Sequence, residues 1–356
     1  MKRNMIFIIF SLLLITELLM PLPIACQPST ASPITFRFAS TGSPTAMYSK
    51  ASAYWADLIT KRTGGRIKFE YYWAGSLFKA GEMANAIKQG LVETCMLCQA
   101  HDRAKMPLWN VTFTVPFGPP TVDALEKACW KLYEVPELMK DAEQNNVKII
   151  FPVIVESYEI ISKKPLRNLS EMKGVKVAGI GVNLPILGAA GMVPVSMPVA
   201  ERYNALQTGV IDAQFLGVVF ADAFKIEEVA KYVTIIDYGA MIICHNAINR
   251  DVWNRLPPQD QKIILEAGRE AARWQSKETD ALVDTIIEKW KRQGITVNSF
   301  PASDRATWAG RVKDTAWKWG KDRDAQGLAG TKVLKAYFKA CEEAGYKFPY
   351  STSAPQ

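Results

Sequence analysis

Few residues in this chain are equipped for chemistry. Cys95-Met96-Leu97-Cys98 is a lone C-x-x-C, a spacing that serves thiol exchange or supplies half of a zinc site. It follows the helical pattern of residues 81–90 and sits in the apolar run Thr94–Cys98, which reads as a strand. Residues three apart on a strand point to opposite faces, so structural or pocket-lining thiols are expected here. The two histidines, His101 and His245, have no ligand-spaced partner. The chain has no Gly-x-Ser-x-Gly elbow and no His-Glu-x-x-His, and so few histidines leave no plausible triad. Gly179-Ile180-Gly181 lacks the third glycine and downstream acid of a dinucleotide fingerprint. No catalytic residue, cofactor or metal is expected, which leaves recognition as the chemistry to look for. The competing reading is an exported thiol-redox protein or metal carrier using Cys95 and Cys98.

The surrounding elements alternate. Ile34–Ala39 has strand periodicity, Ala46–Thr60 carries apolar residues at helical spacing, and Ile67–Trp73 is the next strand. Helix 80–89, helix 124–142, strand 147–155, strand 175–180, helix 184–190, strand 195–197, helix 200–208 and strand 213–219 continue the rhythm, with strands at 232–236 and 241–248. That order predicts a doubly wound α/β protein. Pro258 to Gln293 is one long helical pattern with Ile263, Ala267, Ala271, Trp274, Leu282, Ile286 and Trp290 in register. Such a helix spans on the order of 50 Å and braces two domains. Helical segments follow around 303–320 and 329–344.

Bulk properties set the class. The 356 residues suffice for two domains, and 49% hydrophobic content with near-zero mean hydropathy describes a globular chain. The formal charge of +8 is spread without a basic block, which speaks against a nucleic-acid partner. Met1-Lys2-Arg3, the apolar stretch Ile6–Met20 and Leu22-Pro23-Ile24-Ala25-Cys26 read as a signal peptide over 1–26. Ala25-Cys26 ends like a lipobox, so Cys26 is expected either as a lipidated N-terminus or beside a plain cleavage site. Residues 27–33 read as a linker, and a lipid anchor would be the one attachment to the membrane.

Several motifs carry a family resemblance. Lys61-Arg62-Thr63-Gly64-Gly65-Arg66-Ile67, Trp73-Ala74-Gly75-Ser76-Leu77, Val115-Pro116-Phe117, Leu206-Gln207-Thr208-Gly209-Val210-Ile211-Asp212, and Asn249-Arg250-Asp251-Val252-Trp253 with Leu256-Pro257 stand in order over roughly 34–345. This series resembles the DctP family, the solute-binding subunits of TRAP transporters. The resemblance implies a two-lobed fold of the type II periplasmic-binding-protein kind, with a hinged cleft and a long helix bracing both lobes. It also implies a small organic solute handed to TRAP membrane permease subunits. The chain is then expected to cross between lobes near 155–157 and 241–245. Lobe 1 would be 34–156 plus about 242–275, lobe 2 would be 157–241 plus C-terminal helices about 276–345, and 346–356 would be a tail.

The chain departs from the family where an acid is usually gripped. The family's carboxylate-pairing arginine falls on Ala178, a ligand-binding asparagine falls on Leu216, and no basic residue stands around Glu156–Glu159. A desolvated carboxylate needs a bidentate cation, so either another Arg or Lys takes over or the ligand is aromatic, neutral or an atypical acid. By position the ligand-binding candidates are Trp73, Cys98, Gln99, Phe117, Tyr158, Ala178, Asn183, Gln214, Leu216 and Tyr238. Glu159 is expected as an exposed strand-end carboxylate.

Overall fold

The computed structural model describes residues 33–355 except 102, 182, 241 and 242. The signal segment 1–26 with Cys26, and the linker through residue 32, lie outside the described residues.

The strands, in chain order, are β1 (Ile34–Ala39), β2 (Ile67–Tyr72), β3 (Thr94–Leu97), β4 (Val147–Ile154), β5 (Tyr158–Ser162), β6 (Lys176–Gly179), β7 (Val193–Ser196), β8 (Ala213–Gly217), β9 (Tyr232–Ile235), β10 (Ile243–Asn249) and β11 (Thr296–Ser299). They form two sheets, ordered β2-β1-β3-β10-β4 and β11-β9-β5-β8-β6-β7. The chain leaves the first sheet after Ile154, enters the second at Tyr158, and returns between Ile235 and Ile243. β1 runs parallel to β2 and β3, while β10 is antiparallel to both β3 and β4. In the second sheet β6 is parallel to β7 and β8, and β5 is antiparallel to β8. The carboxyl ends of β1–β4 therefore share one edge with the start of β10, and those of β6–β8 share one with the start of β5. Open α/β sheets bind ligands outside such edges.

Period-two burial gives the first sheet two covered faces. Phe36, Phe38, Met96 and Cys244 face one way, against Trp55 and Ile264. Cys95, Leu97 and Ala247 face the other, against Leu125, Leu138 and Tyr337. The second lobe has its own core around Ile160, Val177, Phe215, Val233 and Trp308. The helix Pro258–Arg292, 35 residues long, joins the two. Ile264, Ala267 and Ala271 pack in the first lobe, and Ile286 and Trp290 in the second. At the crossover between lobes, Gln275 Nε2 donates to the Ile154 carbonyl (2.7 Å). Asp280 accepts from the N–H groups of Val122 (2.9 Å) and Asp123 (3.0 Å), and Asp222 accepts from Trp290 Nε1 (3.0 Å) and Lys289.

Some elements differ from expectation. The pattern over 124–142 is two helices, Val122–Leu132 and Pro136–Glu143, because Pro136 cannot donate within a continuous helix. Strand 213–219 stops at Gly217, where helix Val218–Ala223 begins. The assignment of all C-terminal helices to lobe 2 needs correction. Helix Ala302–Val312 joins that lobe through Trp308. Helices Asp314–Asp324 and Gly330–Glu343 instead pack Trp317, Leu334, Tyr337 and Phe338 into the core of the first. Their apolar stripe covers Leu125 and Leu132 on helix Val122–Leu132. The segment after 345 is also anchored, with the Tyr346 and Tyr350 hydroxyls donating to the carbonyls of Phe117 (2.7 Å) and Pro116 (2.8 Å).

Candidate functional site

The two sheet edges carry the candidate residues. On the first lobe, Trp73 follows β2, half-buried and stacked on Tyr71 with centroids 5.1 Å apart. Cys98 and Gln99 follow β3. On the second, Tyr158 opens β5, Ala178 lies on β6 opposite Gln214 of β8, Leu216 lies on β8 opposite Glu159, and Asn183 opens helix Asn183–Ala189. The lobes touch. A Cβ on Gly181, after β6, would lie 3.3 Å from Arg103 Nη2 of the first lobe. Tyr48 stacks on Phe220 across the divide, with centroids 6.3 Å apart. Burial drives the Tyr158 phenol pKa far up, Glu156 adds to the rise, and Cys98 and Tyr48 contribute from the first lobe.

Polar groups here are buried without protein partners. Both amide atoms of Gln99 and of Gln214, Oδ1 of Asn183 and the Tyr238 hydroxyl make no hydrogen bond with the described residues. All four side chains are almost wholly enclosed. Buried polar atoms are nearly always satisfied, and leaving one unmade costs about 1–3 kcal/mol. Gln99 comes from the first lobe, where it borders a small hollow with Cys98, Lys105 and Met106, and Gln214 comes from the second. Ala178 and Leu216 add apolar surface continuous with the second lobe's core.

Phe117 and Tyr238 lie at the joint. Their rings meet at 5.2 Å, Phe117 also touches Trp308 at 5.4 Å, and the Arg305 guanidinium lies over the Phe117 ring, 5.4 Å from its centroid. Tyr238 packs edge-on to Phe215 (4.9 Å), which packs on Tyr158 (5.3 Å). Glu159 is corrected from exposed to buried, because β5 lies between β8 and β9. It accepts from the N–H groups of Ile236 (2.6 Å) and Asp237 (3.2 Å), clasping the outgoing crossover to the returning one. Ser157 Oγ accepts from Gly239 N–H (3.1 Å) in the same clasp. Glu156 accepts from Val219 N–H (3.0 Å), and burial pushes its carboxyl up to about 7.

A cavity of about 410 Å³ adjoins the hinge, lined by Tyr48, Lys50, Glu156, Phe220, Gln275 and Thr279 among others. None of the ten sequence candidates lines it. A larger hollow of about 770 Å³ lies between Asn168–Lys173 and helix Ala302–Val312. The unpartnered amides of Gln99 and Gln214 line neither of these two hollows.

A sequence model of bacterial extracellular solute-binding protein, family 7, DctP, matches residues 38–321. The chain belongs to this family. The C4-dicarboxylate-binding periplasmic protein DctP of Rhodobacter capsulatus is 25% identical to this family 7 receptor over 331 residues, 87% of this chain and 93% of that protein. A TRAP periplasmic solute-binding protein of Desulfovibrio salexigens has a TM-score of 0.81 at 24% identity, covering 88% of this chain and 97% of that one. A TRAP solute-binding protein of Rhodoferax ferrireducens in complex with copurified benzoate has a TM-score of 0.74 at 22% identity, covering 88% and 98%. The family 7 receptor thus has the two-lobed fold, binds a small organic solute and delivers it to TRAP membrane permease subunits. The thiol alternative has no support. Cys95 lies in the apolar core, where burial drives its thiol pKa up and suppresses the thiolate, and Cys98 belongs to the opposite face.

Sequence reasoning missed Tyr48, Phe220 and Arg202. Arg202 is 1% exposed. The signal was available, because Arg202, Ala205 and Leu206 form one buried stripe of helix Val199–Thr208, and an arginine on a buried stripe needs a reason.

Proposed function

We propose that the family 7 receptor closes on a small solute with an aromatic or otherwise apolar body and a polar rim. Gln99, Asn183, Gln214 and Tyr238 hydrogen-bond the rim. Trp73, Cys98, Tyr158, Ala178 and Leu216 shape the walls, and Phe117 packs the joint behind Tyr238. The receptor holds and releases the solute without catalysis. It works outside the cytoplasm, either tethered through Cys26 or released by cleavage near it. A Cys26→Ser protein that stays in the membrane fraction would remove the tether.

The observation that carries this reading is the pair of orphaned glutamine amides, Gln99 after β3 of one lobe and Gln214 on β8 of the other, the latter on the same strand as the apolar Leu216 and paired with Ala178. Benzoate in the Rhodoferax ferrireducens relative supports an aromatic body. The test is a thermal-shift screen of aromatic acids, aliphatic mono- and dicarboxylates, polyols and amines. A ligand at a hundred times its Kd stabilises by about 2.7 kcal/mol, a shift of a few degrees. Aromatic compounds should give the largest shifts. A response to succinate or simple 2-oxo acids with none to aromatic compounds would refute the proposed solute class.

A further inference from the structure

We propose that Arg202 is the cation of the solute site, pairing with a single carboxylate on the solute from helix Val199–Thr208 in place of the arginine absent at Ala178. This rests on the reading above that the two edges enclose the solute.

The side chain is almost completely buried. Its Nε and Nη2 donate to the Met197 carbonyl (3.1 and 2.9 Å), and Nη1 donates to the Phe215 carbonyl (3.1 Å). Among the described residues, no Asp or Glu lies within ion-pair distance. The partly exposed Arg66 shows the usual solution, holding the buried Asp260 through both terminal nitrogens (2.7 and 2.5 Å). Carbonyl partners satisfy donors but cancel no charge, and an uncompensated buried charge is strongly unfavourable. A counter-anion from outside the chain removes that penalty.

The remaining donors have the right form. A guanidinium carries five N–H bonds, and three are used. One N–H on each of Nη1 and Nη2 is left, the pair that a carboxylate accepts in bidentate fashion. The location fits as well. Met197 follows β7 and Phe215 lies on β8, so the guanidinium sits toward the carboxyl ends of these parallel strands. Tyr158, at the start of β5 on the same edge, packs its ring on Phe215 at 5.3 Å.

The acids near the hinge do not supply the missing charge. Glu156 and Glu159 are spent on main-chain N–H groups, and desolvation raises their carboxyls to about 7 and about 8. Desolvation also lowers the Arg202 pKa, and Tyr158 opposes that shift. One buried cation without an acid partner among the described residues calls for one acid group, which points to a monocarboxylate rather than a diacid.

The experiment is calorimetric titration with acid and amide pairs of the same skeleton: benzoate and benzamide, mandelate and mandelamide, butyrate and butyramide, succinate and succinamide. In the native protein the preferred acid should bind about 10- to 100-fold more tightly than its amide, the range set by charge-assisted hydrogen bonds. In Arg202→Gln that preference should collapse. Arg202→Lys keeps the charge and loses the fork, so it should retain part of the preference. It serves as the test if the Gln protein does not fold. A merely structural arginine would weaken acid and amide equally.

Acid selectivity that survives Arg202→Gln, or Arg202→Lys where Gln does not fold, overturns the inference, as does an amide binding the native protein as tightly as its acid. A preferred aliphatic acid whose advantage still depends on Arg202 refutes the aromatic body and supports the Arg202 assignment. A panel in which no acid binds overturns both.

Discussion

Glu159 makes the stability of the hinge depend on pH. Its carboxyl is 4% exposed, and desolvation, aided by the charge of Asp237, raises it to about 8 against the opposing hydrogen bonds from Ser157, Ile236 and Asp237. A folded-state pKa above the unfolded one means that the native state binds the proton more tightly. The stabilisation is complete below the unfolded value near pH 4.5 and is lost as pH rises toward 8. At about 1.4 kcal/mol per unit, the interval from about pH 6.5 to about pH 8 removes roughly 2 kcal/mol. Glu156, at about 7, adds to the fall in the lower part of that interval. His245, pulled down to about 3 by burial, works in the opposite direction, but its contribution is complete by its unfolded value near 6.5. Glu159→Gln keeps an acceptor oxygen for Ile236 and Asp237 and removes the titration. Urea unfolding followed by tryptophan fluorescence at the two pH values should show a clear loss of stability in the native protein and a much smaller one in the Gln protein. Parallel losses in the two proteins, at equal m-values, would refute the reasoning.

Two further predictions concern the joint and the cleft wall. Gly239 has φ +115°, and a Cβ there would meet the backbone of Gly118 at 2.8 Å. Gly239→Ala should therefore cost about 2 kcal/mol or more in chemical unfolding, and an unchanged midpoint would contradict the close approach. One step beyond the His245–Leu97 pairing, Cys98 and Cys244 fall opposite each other across the β3–β10 ladder. Oxidised glutathione should take two electrons and two protons from this pair, forming a disulfide that removes both thiols from alkylation. Continued labelling of both after such treatment would rule it out.

The long helix was legible because its stripe from Ile263 to Trp290 keeps one period between Pro258 and Gly294, and the observed helix ends at Arg292. β5 was not legible. Only Val155, Glu156 and Ser157 separate it from β4, and Glu156 and Glu159 interrupt its apolar pattern, so the crossing near 155–157 was expected but the short strand after it was not. The C-terminal helices announced their apolar faces but not their partner. Val333, Leu334, Tyr337 and Phe338 require cover, and only the fold determines that helix Val122–Leu132 provides it. At the candidate site, Gln99 and Gln214 came from motif position, whereas their isolation from every described partner is a tertiary fact. Arg202 was visible as a charge on a buried stripe, and its lack of an acid was not.

The place of β10 between β3 and β4 constrains how this chain can be made. Its neighbours leave the ribosome long before it does, and until it arrives they cannot complete their ladders. The same first lobe then waits for Leu334, Tyr337 and Phe338 to shield its core, while the second waits for β11 and Trp308. Neither half can reach its native state until nearly the whole polypeptide has been synthesised. A chain that postpones its own folding in this way remains threadable, which suits a protein passed through a narrow export channel and folded on the far side.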